Sequence, residues 1–559
     1  MKKIWLKNYP EGVNDSVKLN EFQSFVEFIE KTFKKYPDSI AFENMGNSVK
    51  YNELDILSKN FSLYLTEELK LEKGDRLAIQ SSNILQFPIA LFAALRCGII
   101  VVNTNPLYTP SEMSYQFKDS GCKAILILSN FVHNLEKIIS ETKIKHIIIT
   151  DIGDNLDYSN KSMISFDVKY AKKIESKFSV SSVISFKEAL FIGNKYKFKK
   201  HHISSKDLAF LQYTGGTTGV SKGAMLTNYN VLSNICQVSL FIDNALEDGK
   251  EVVITALPLY HIFALVINTL VMFKYGAKNI LITNPRDMDG FVEELSKHNF
   301  SIISGVNTLY NGLLNNKNFK NLNFSNLKVS FGGGMSTQKE VAIKWNQVTG
   351  CALFDGYGLT EASPVVALSP INEFNKIGFV GLPIPNTEIK FIDEKNHEVE
   401  IGERGEICVR GPQVMKGYWR RESATNEIID KGWLKTGDIG LIDNDGFIKI
   451  VDRKKEMILV SGFNVYPNEI EDVISSHPKV LEVGVIGVPD KKSIESVKAV
   501  IVKKNQSLSF DEIKLHCKKK LTNYKCPKHF SFVDKLPKSN VGKILRRVIK
   551  EKDLKENKY

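Results

Sequence analysis

The run Tyr213-Thr214-Gly215-Gly216-Thr217-Thr218-Gly219-Val220-Ser221-Lys222-Gly223-Ala224 packs glycines, hydroxyls and a lysine into one loop. Glycines at 215, 216 and 219 allow backbone angles that let N–H groups converge on an anion. Thr214, Thr217, Thr218 and Ser221 add hydroxyl donors, and Lys222 adds a point charge suited to phosphate. The spacing is not that of GxxxxGK[ST], because Lys222 is followed by Gly223. The loop therefore suggests a phosphate grip outside the Walker class. The plain alternative for such a composition is a flexible surface loop.

Other candidates are scattered further along the chain. His261 sits among apolar residues in LPLYHIFAL, where a core histidine is the ordinary reading. Gly333 and Gly334, in FGGGMS, would let a flat ring approach the backbone. In DGYGLTEASP, Asp355, Gly356, Tyr357 and Gly358 precede Thr360 and Glu361. A carboxylate beside a phosphate loop suits Mg²⁺, which takes hard oxygen ligands; helix capping is the alternative for the Thr-Glu pair. Asp438, in a glycine-bounded turn of GWLKTGDIG, could accept two ribose hydroxyls or be a β-turn aspartate. Lys543 follows a turn-forming PKSNVG and could reach another domain's site, or be one of many solvated lysines.

These residues need a scaffold. Apolar runs such as RLAIQ, GIIVVN, AILILS, HIIIT, EVVITAL and NILIT alternate with helical stretches. That alternation predicts layered α/β sheets with largely parallel strands. ILQFPIALFAALRCG reads as a buried helix interrupted by Arg96, and the IIVV after it as a buried strand. From about 385 to 450 short strands and tight turns predict an antiparallel subdomain. Beyond Asp452, PNEIEDVISSHP and SFDEIKLHCKKKL read as helices, with EVGVIGVP and VKAVIVKK as strands. The fold class expected is α/β: a large N-terminal domain, 1–452, with layered sheets plus the antiparallel β subdomain, and a small α+β C-terminal domain, 453–559.

Bulk properties narrow the classes. The 559 residues are 43% hydrophobic and carry a formal charge of +12, which fits nucleic acid, an anionic membrane surface, anionic substrates or a lysine-rich genome. Residues 511–559 hold 15 Lys or Arg against 6 Asp or Glu, yet lack an aromatic-rich stacking surface, so no nucleic-acid partner is expected. The seven cysteines form no CxxC pair, which argues against a disulfide framework and fits a reducing cytoplasm. MKKIWLKNYP has no apolar run behind its lysines and is not read as a signal peptide; no apolar run approaches the roughly 18 residues of a membrane span.

The order and separation of the glycine-threonine loop, YGLTE, TGD, DRKKEMI and the late GK resemble the adenylate-forming superfamily over essentially the whole chain. That superfamily includes acyl-CoA synthetases, luciferases and peptide-synthetase adenylation domains. The stretch GWLKTGDIGLIDNDGFIKIVDRKKEMILVSGFNVYPNEIEDVI looks like the fatty acyl-CoA synthetase signature. VVNTNPLYTP, ALPLYHIFAL and LPKSNVGKILRR look like those of the bacterial long-chain ligases of fatty-acid degradation. The resemblance implies ATP, Mg²⁺ and coenzyme A as reactants or cofactors and a long-chain fatty acid as the acyl donor. It implies that residues 213–224 hold the β and γ phosphates, that Gly333–Gly334 and Asp355–Gly358 flank adenine, and that Glu361 binds Mg²⁺. Asp438 and Arg453 would hold the ribose, Lys455 would lie at the hinge of a mobile C-terminal domain, and Lys543 would be the adenylation lysine. His261 would border the acyl carboxylate, and Gly462, in LVSGFN, would lie on the CoA side.

Two positions depart from the usual pattern, Ser336 where proline is common and Lys431 where an acidic residue is common; neither is a proposed ligand. An amino-acid adenylation domain is disfavoured by the apolar stretch after His261. A non-catalytic scaffold is disfavoured because Lys222, Glu361, Asp438, Arg453 and Lys543 are all present. A medium-chain or aryl-acid ligase stays open. Peripheral contact with the inner face of the cytoplasmic membrane and a homodimer are further expectations.

Overall fold

The computed structural model describes residues 2–556 except 17, 19–20, 155–180, 215–219, 336, 373, 491–492 and 540–541. Gly215, Gly216, Thr217, Thr218, Gly219 and Ser336 thus lie outside the described residues. The expected runs become strands Arg76–Gln80, Ile100–Asn103, Ala124–Leu128, His146–Thr150, Val252–Thr255 and Lys278–Leu281. Ala124–Leu128 is buried at every position, as the centre of a parallel sheet requires.

Two large sheets result. The seven-stranded sheet is parallel except for its edge strand Gly223–Thr227, which runs back along Leu208–Tyr213. The nine-stranded sheet has a parallel centre, Val252–Thr255, Ile302–Gly305, Val329–Gly332 and Leu353–Gly358 among its strands, and antiparallel edges. Between them lies the helix Gln86–Cys97, all twelve positions buried. It ends at Gly98, whose φ of +69° is the left-handed conformation of a helix C-cap. Arg96 does not face water. Its guanidinium is fully buried, pairs with Asp55, donates to Ser58 and lies over the Phe33 ring at 5.3 Å.

Glu388–Ile392, Gly405–Arg410, Trp433–Ile442 and Ile448–Arg453 form the expected antiparallel sheet, with the short Ile429–Asp430 at its edge. The first nine residues strap it to the rest. Trp5 is buried against Gly446, where an added Cβ would meet it at 2.4 Å. Lys7 pairs with Asp445 at 3.0 Å, the Asn8 side chain donates to the Asp445 carbonyl at 2.7 Å, and Tyr9 donates to the Pro383 carbonyl.

The apolar cluster of this first part reaches Ile450, and a separate one begins at Ile458. The second part is a five-stranded sheet built on the hairpin Val480–Asp490 and Ile494–Lys503. Helices Pro467–Ser475 and Phe510–Lys520 cover it through Ile470, Ile474, Ile513 and Cys517. Among the described residues no helix is long and apolar enough to cross a membrane, and the seven cysteines are free thiols.

Candidate active site

The phosphate-grip candidate is the connection of an antiparallel hairpin. Tyr213 pairs with Gly223 at its neck, and the Thr214 N–H donates to the Lys222 carbonyl at 3.0 Å. Tyr213 and Ala224 are buried at the base, and the Tyr213 hydroxyl donates to Asp119 at 2.7 Å. Val220, by contrast, is 63% exposed. Ser221 donates to the Thr214 carbonyl.

A segment that the sequence reading passed over completes this corner. The Trp419 N–H donates to the Gly223 carbonyl at 2.8 Å and the Lys416 N–H to the Met225 carbonyl at 3.0 Å. This lays Tyr418 beside the hairpin. The Lys222 ammonium stands over the Tyr418 ring at 5.0 Å, and the Tyr418 hydroxyl donates to Glu361 Oε1 at 2.6 Å. Lys222 and Glu361, 139 positions apart by their numbers, are thus brought to opposite sides of one tyrosine.

Thr360 and Glu361 form a 3₁₀ turn, Thr360–Ala362, just past the strand Leu353–Gly358. Among the described residues the second carboxylate oxygen of Glu361 has no hydrogen-bond partner, which fits a hard cation. Among them no three or more His, Cys, Asp or Glu side chains cluster to hold a metal by themselves. A Mg²⁺ here would take Glu361 and fill its remaining positions with phosphate and water oxygens, its usual preference.

Gly333 and Gly358 sit in close packing that leaves little room for a side chain. An added Cβ at Gly333 would meet Phe263 at 3.0 Å and the Gly356 carbonyl at 3.5 Å, and one at Gly358 would meet the Pro364 carbonyl at 2.3 Å. Gly334 has φ +75°. Asp355 beside them accepts from Thr337 at 2.6 Å, and burial pushes its carboxyl up to about 7.

Asp438 is not in a turn. It lies inside the ten-residue strand Trp433–Ile442, directly across from Arg453. The glycine taken as a turn signal, Gly437, has φ +74° and is accommodated within the strand. Asp438 accepts from the Tyr357 hydroxyl at 2.7 Å and pairs with Arg453 Nε at 3.3 Å. One carboxylate therefore joins a strand end of the nine-stranded sheet to a central strand of the antiparallel sheet.

Lys543 comes from the far end of the chain. The Ser539 N–H donates to the Lys543 carbonyl at 2.7 Å, the Lys543 N–H donates to the Ser539 hydroxyl at 3.1 Å, and the Gly542 carbonyl accepts from the Thr308 hydroxyl at 3.1 Å. That contact docks the turn on the helix Asn307–Asn315. Burial and the charge of Arg453 push the Lys543 ammonium down to about 8. His261 is pushed down to about 4 by burial and by the charge of Lys543. Its Nδ1 accepts from the Phe263 N–H at 3.3 Å, which leaves the proton on Nε2. Lys455 is exposed in the turn Lys454–Glu456, and Gly462 is exposed at a hairpin tip of the second part, with nothing within 4 Å of an added Cβ. The structure does not bring Gly462 to the corner that holds Lys222.

A two-part α/β chain whose second part returns a lysine to the mouth of the first has the architecture of the adenylate-forming enzymes. The chain belongs to the AMP-binding enzyme family: residues 29–419 match that family and residues 469–543 match the AMP-binding enzyme C-terminal domain. It is 52% identical over 551 residues to the long-chain-fatty-acid–CoA ligase of Escherichia coli O157:H7, covering 99% of this chain and 98% of that protein. It is 49% identical to the ligase of the same name from Haemophilus influenzae, with 99% of each covered. Among solved structures, ATP-bound MatB from Rhodopseudomonas palustris aligns with TM-score 0.79 at 26% identity, over 95% of this chain and 99% of that one. The Bacillus subtilis o-succinylbenzoate CoA synthetase with its acyl-adenylate aligns at 0.75 and 28%, over 95% and 98%.

Proposed function

We propose that this chain is a long-chain-fatty-acid–CoA ligase, joining a fatty acid to coenzyme A with conversion of ATP to AMP and pyrophosphate, and so activating fatty acids for β-oxidation. The observation that supports it most is the meeting of Lys543 with Arg453, Asp438 and His261 in a chain similar along its whole length to ligases of that name.

In the first half-reaction a carboxylate oxygen of the fatty acid attacks the α-phosphorus of ATP. The bond from that phosphorus to the bridging oxygen breaks, and pyrophosphate leaves with the electron pair. The hairpin 213–224 holds the leaving phosphates through its N–H groups, hydroxyls and Lys222. Gly333, Gly334 and Asp355–Gly358 receive adenine, and Asp438 with Arg453 receives the ribose hydroxyls. Lys543 meets the charge that builds on the α-phosphate, a contribution of about 3–4 kcal/mol for one well-placed donor in a closed site. His261, neutral with its proton on Nε2, can donate to the acyl carboxylate and hold it in line. Glu361 would hold Mg²⁺, which would supply positive charge for the phosphates. Holding acid and nucleotide together adds the advantage of orientation.

In the second half-reaction the CoA thiolate attacks the acyl carbon, the bond to the AMP oxygen breaks, and AMP departs. Lys543 then stands where CoA must enter. A rotation of residues 453–559 about a hinge near Lys455 removes it and brings the Gly462 hairpin, exposed here, toward the acyl-adenylate. The break between the two apolar clusters supports that boundary.

Product analysis tests the whole reading. Purified protein with Mg²⁺, ATP, CoA and fatty acids of graded length should give AMP, pyrophosphate and long-chain acyl-CoA. ADP in place of AMP, or turnover with short or aromatic acids alone, would sink it. The excess of Lys and Arg in 511–559 supports peripheral binding at the anionic cytoplasmic face, at about 1 kcal/mol per well-placed cation. Absence of co-flotation with anionic vesicles at low salt would remove that part.

A further inference from the structure

Asp119 has no place in the chemistry described so far, yet its setting is unusual. It is the penultimate residue of the helix Pro110–Ser120, where the helix dipole disfavours a carboxylate. Its side chain is 7% exposed, so its charge is also largely removed from water. Both penalties are met by contacts with one region. Oδ2 accepts from the Tyr213 hydroxyl at 2.7 Å, Oδ1 pairs with Arg421 at 2.8 Å, and the Asp119 carbonyl accepts from the Trp419 indole at 3.1 Å.

These partners sit on the two chains that make up the phosphate corner. Tyr213 is the last residue before the hairpin loop, and its ring lies 3.1 Å from where a Cβ at Gly223, on the returning strand, would stand. Trp419 and Arg421 closely follow Tyr418, which meets Lys222 and Glu361. The contacts close a ring: Asp119 to Tyr213, Tyr213 across the hairpin neck to Gly223 and its neighbour Lys222, Lys222 to Tyr418, and through Trp419 back to Asp119. Lys222 and Glu361 owe their separation to Tyr418, and the position of Tyr418 relative to the hairpin is fixed from behind by Asp119.

We infer that Asp119 is a positioning residue for the triphosphate grip: through Tyr213, Trp419 and Arg421 it holds the hairpin neck against the segment that aligns Lys222 with Glu361. This rests on the ligase reading above, because the group gripped is the pyrophosphate portion of ATP. Asp119 touches no reacting atom. Its effect should fall on phosphate binding alone and leave the acyl and CoA sides untouched.

The test uses the full-length protein with Asp119→Ala, Asp119→Asn and Tyr213→Phe, the last keeping the ring and removing only the hydroxyl. ATP and pyrophosphate affinities are measured by equilibrium titration, which requires no turnover. The expected result is about a tenfold loss for both ligands in Asp119→Ala and Tyr213→Phe, the effect of losing a hydrogen bond to a charged group. Asp119→Ala combined with Tyr213→Phe should be little worse than Asp119→Ala. The KM for fatty acid and the rate of thioester formation from supplied acyl-adenylate should stay at the unmodified protein's values. Folded Asp119→Asn and Tyr213→Phe proteins that bind ATP and pyrophosphate as before would overturn the inference, as would equal loss of both half-reactions. If the unmodified protein binds ATP but forms no AMP with any fatty acid, the ligase reading fails while the titrations still decide the role of Asp119.

Discussion

The Tyr357 hydroxyl donates to Asp438 across 2.7 Å, joining a strand end of the nine-stranded sheet to a central strand of the antiparallel sheet. Both groups are buried, and Asp438 spends its other oxygen on Arg453. The carboxylate proposed to accept the ribose is therefore held in one orientation by Tyr357 and Arg453. Removing the hydroxyl leaves a buried carboxylate short of one donor.

Tyr357→Phe should weaken ATP binding by roughly tenfold, since hydrogen bonds to charged groups contribute about 1.5–3 kcal/mol. The KM for CoA should be unchanged. Steady-state kinetics with each substrate varied in turn checks it; an unchanged KM for ATP would separate this pair from ribose recognition.

The role proposed for Lys543 makes the adenylation half-reaction depend on pH. Burial and Arg453 lower its ammonium to about 8, so the charge proposed to meet the α-phosphate is present below that pH and lost above it. The kcat/KM for ATP in pyrophosphate formation should be flat below pH 8 and fall above it, and Lys543→Arg should abolish the fall. The sign for docking is opposite. A lysine whose pKa is lowered on docking disfavours the docked turn while it is charged, so nucleotide-free docking should strengthen as pH rises from about 8 toward the ordinary lysine value of about 10.4. Lys543→Ala should lower adenylation by two or more powers of ten and spare thioester formation from supplied acyl-adenylate; a charged group of this kind typically contributes about 10²–10³ in rate.

His261 should be silent near neutrality. Burial and the Lys543 charge hold it at about 4, so no break near the ordinary histidine value of about 6.5 should be seen in the pH profile. His261→Phe should raise the KM for fatty acid several-fold, about what one neutral hydrogen bond contributes. A profile that bends near 6.5 and straightens in His261→Phe would show that the imidazole works in its charged form.

Arg96 offers a test of stability away from the chemistry. Its fully buried guanidinium is matched by Asp55 and Ser58, so Asp55→Ala strands a charge inside the protein. The expected loss is about 3–5 kcal/mol, read as a lower unfolding midpoint in urea. Replacing both residues by apolar ones of similar volume, Arg96→Met with Asp55→Leu, should recover most of it.

Much of this protein is legible in its sequence, because buried parallel strands and a fully buried helix are written as unbroken apolar runs. Ala124–Leu128 and Gln86–Cys97 carry their own evidence. The motif residues were also findable, since short glycine-rich spacings travel as units. Arg96 stands out in its apolar run, but its partner Asp55 does not, and Asp119 and Tyr418 were not legible at all. Each of these two is an ordinary polar or aromatic residue in its local window, and its importance lies in partners such as Tyr213 and Glu361 that only the folded chain brings near. Asp438 was misplaced for a different reason: a glycine with positive φ signals a tight bend, and a strand can absorb one as an irregularity.

The strap formed by the first nine residues has a bearing on how the chain is made. Trp5, Lys7, Asn8 and Tyr9 are synthesised hundreds of residues before their partners at Pro383, Asp445 and Gly446. Until Gly446 has been synthesised, Trp5 lacks the glycine it packs against. Closure of the first part therefore waits on its last strand, Ile448–Arg453, and only then does the second part follow. Interference at that late step would leave the early sheets formed and the Asp438–Arg453 pair unfinished.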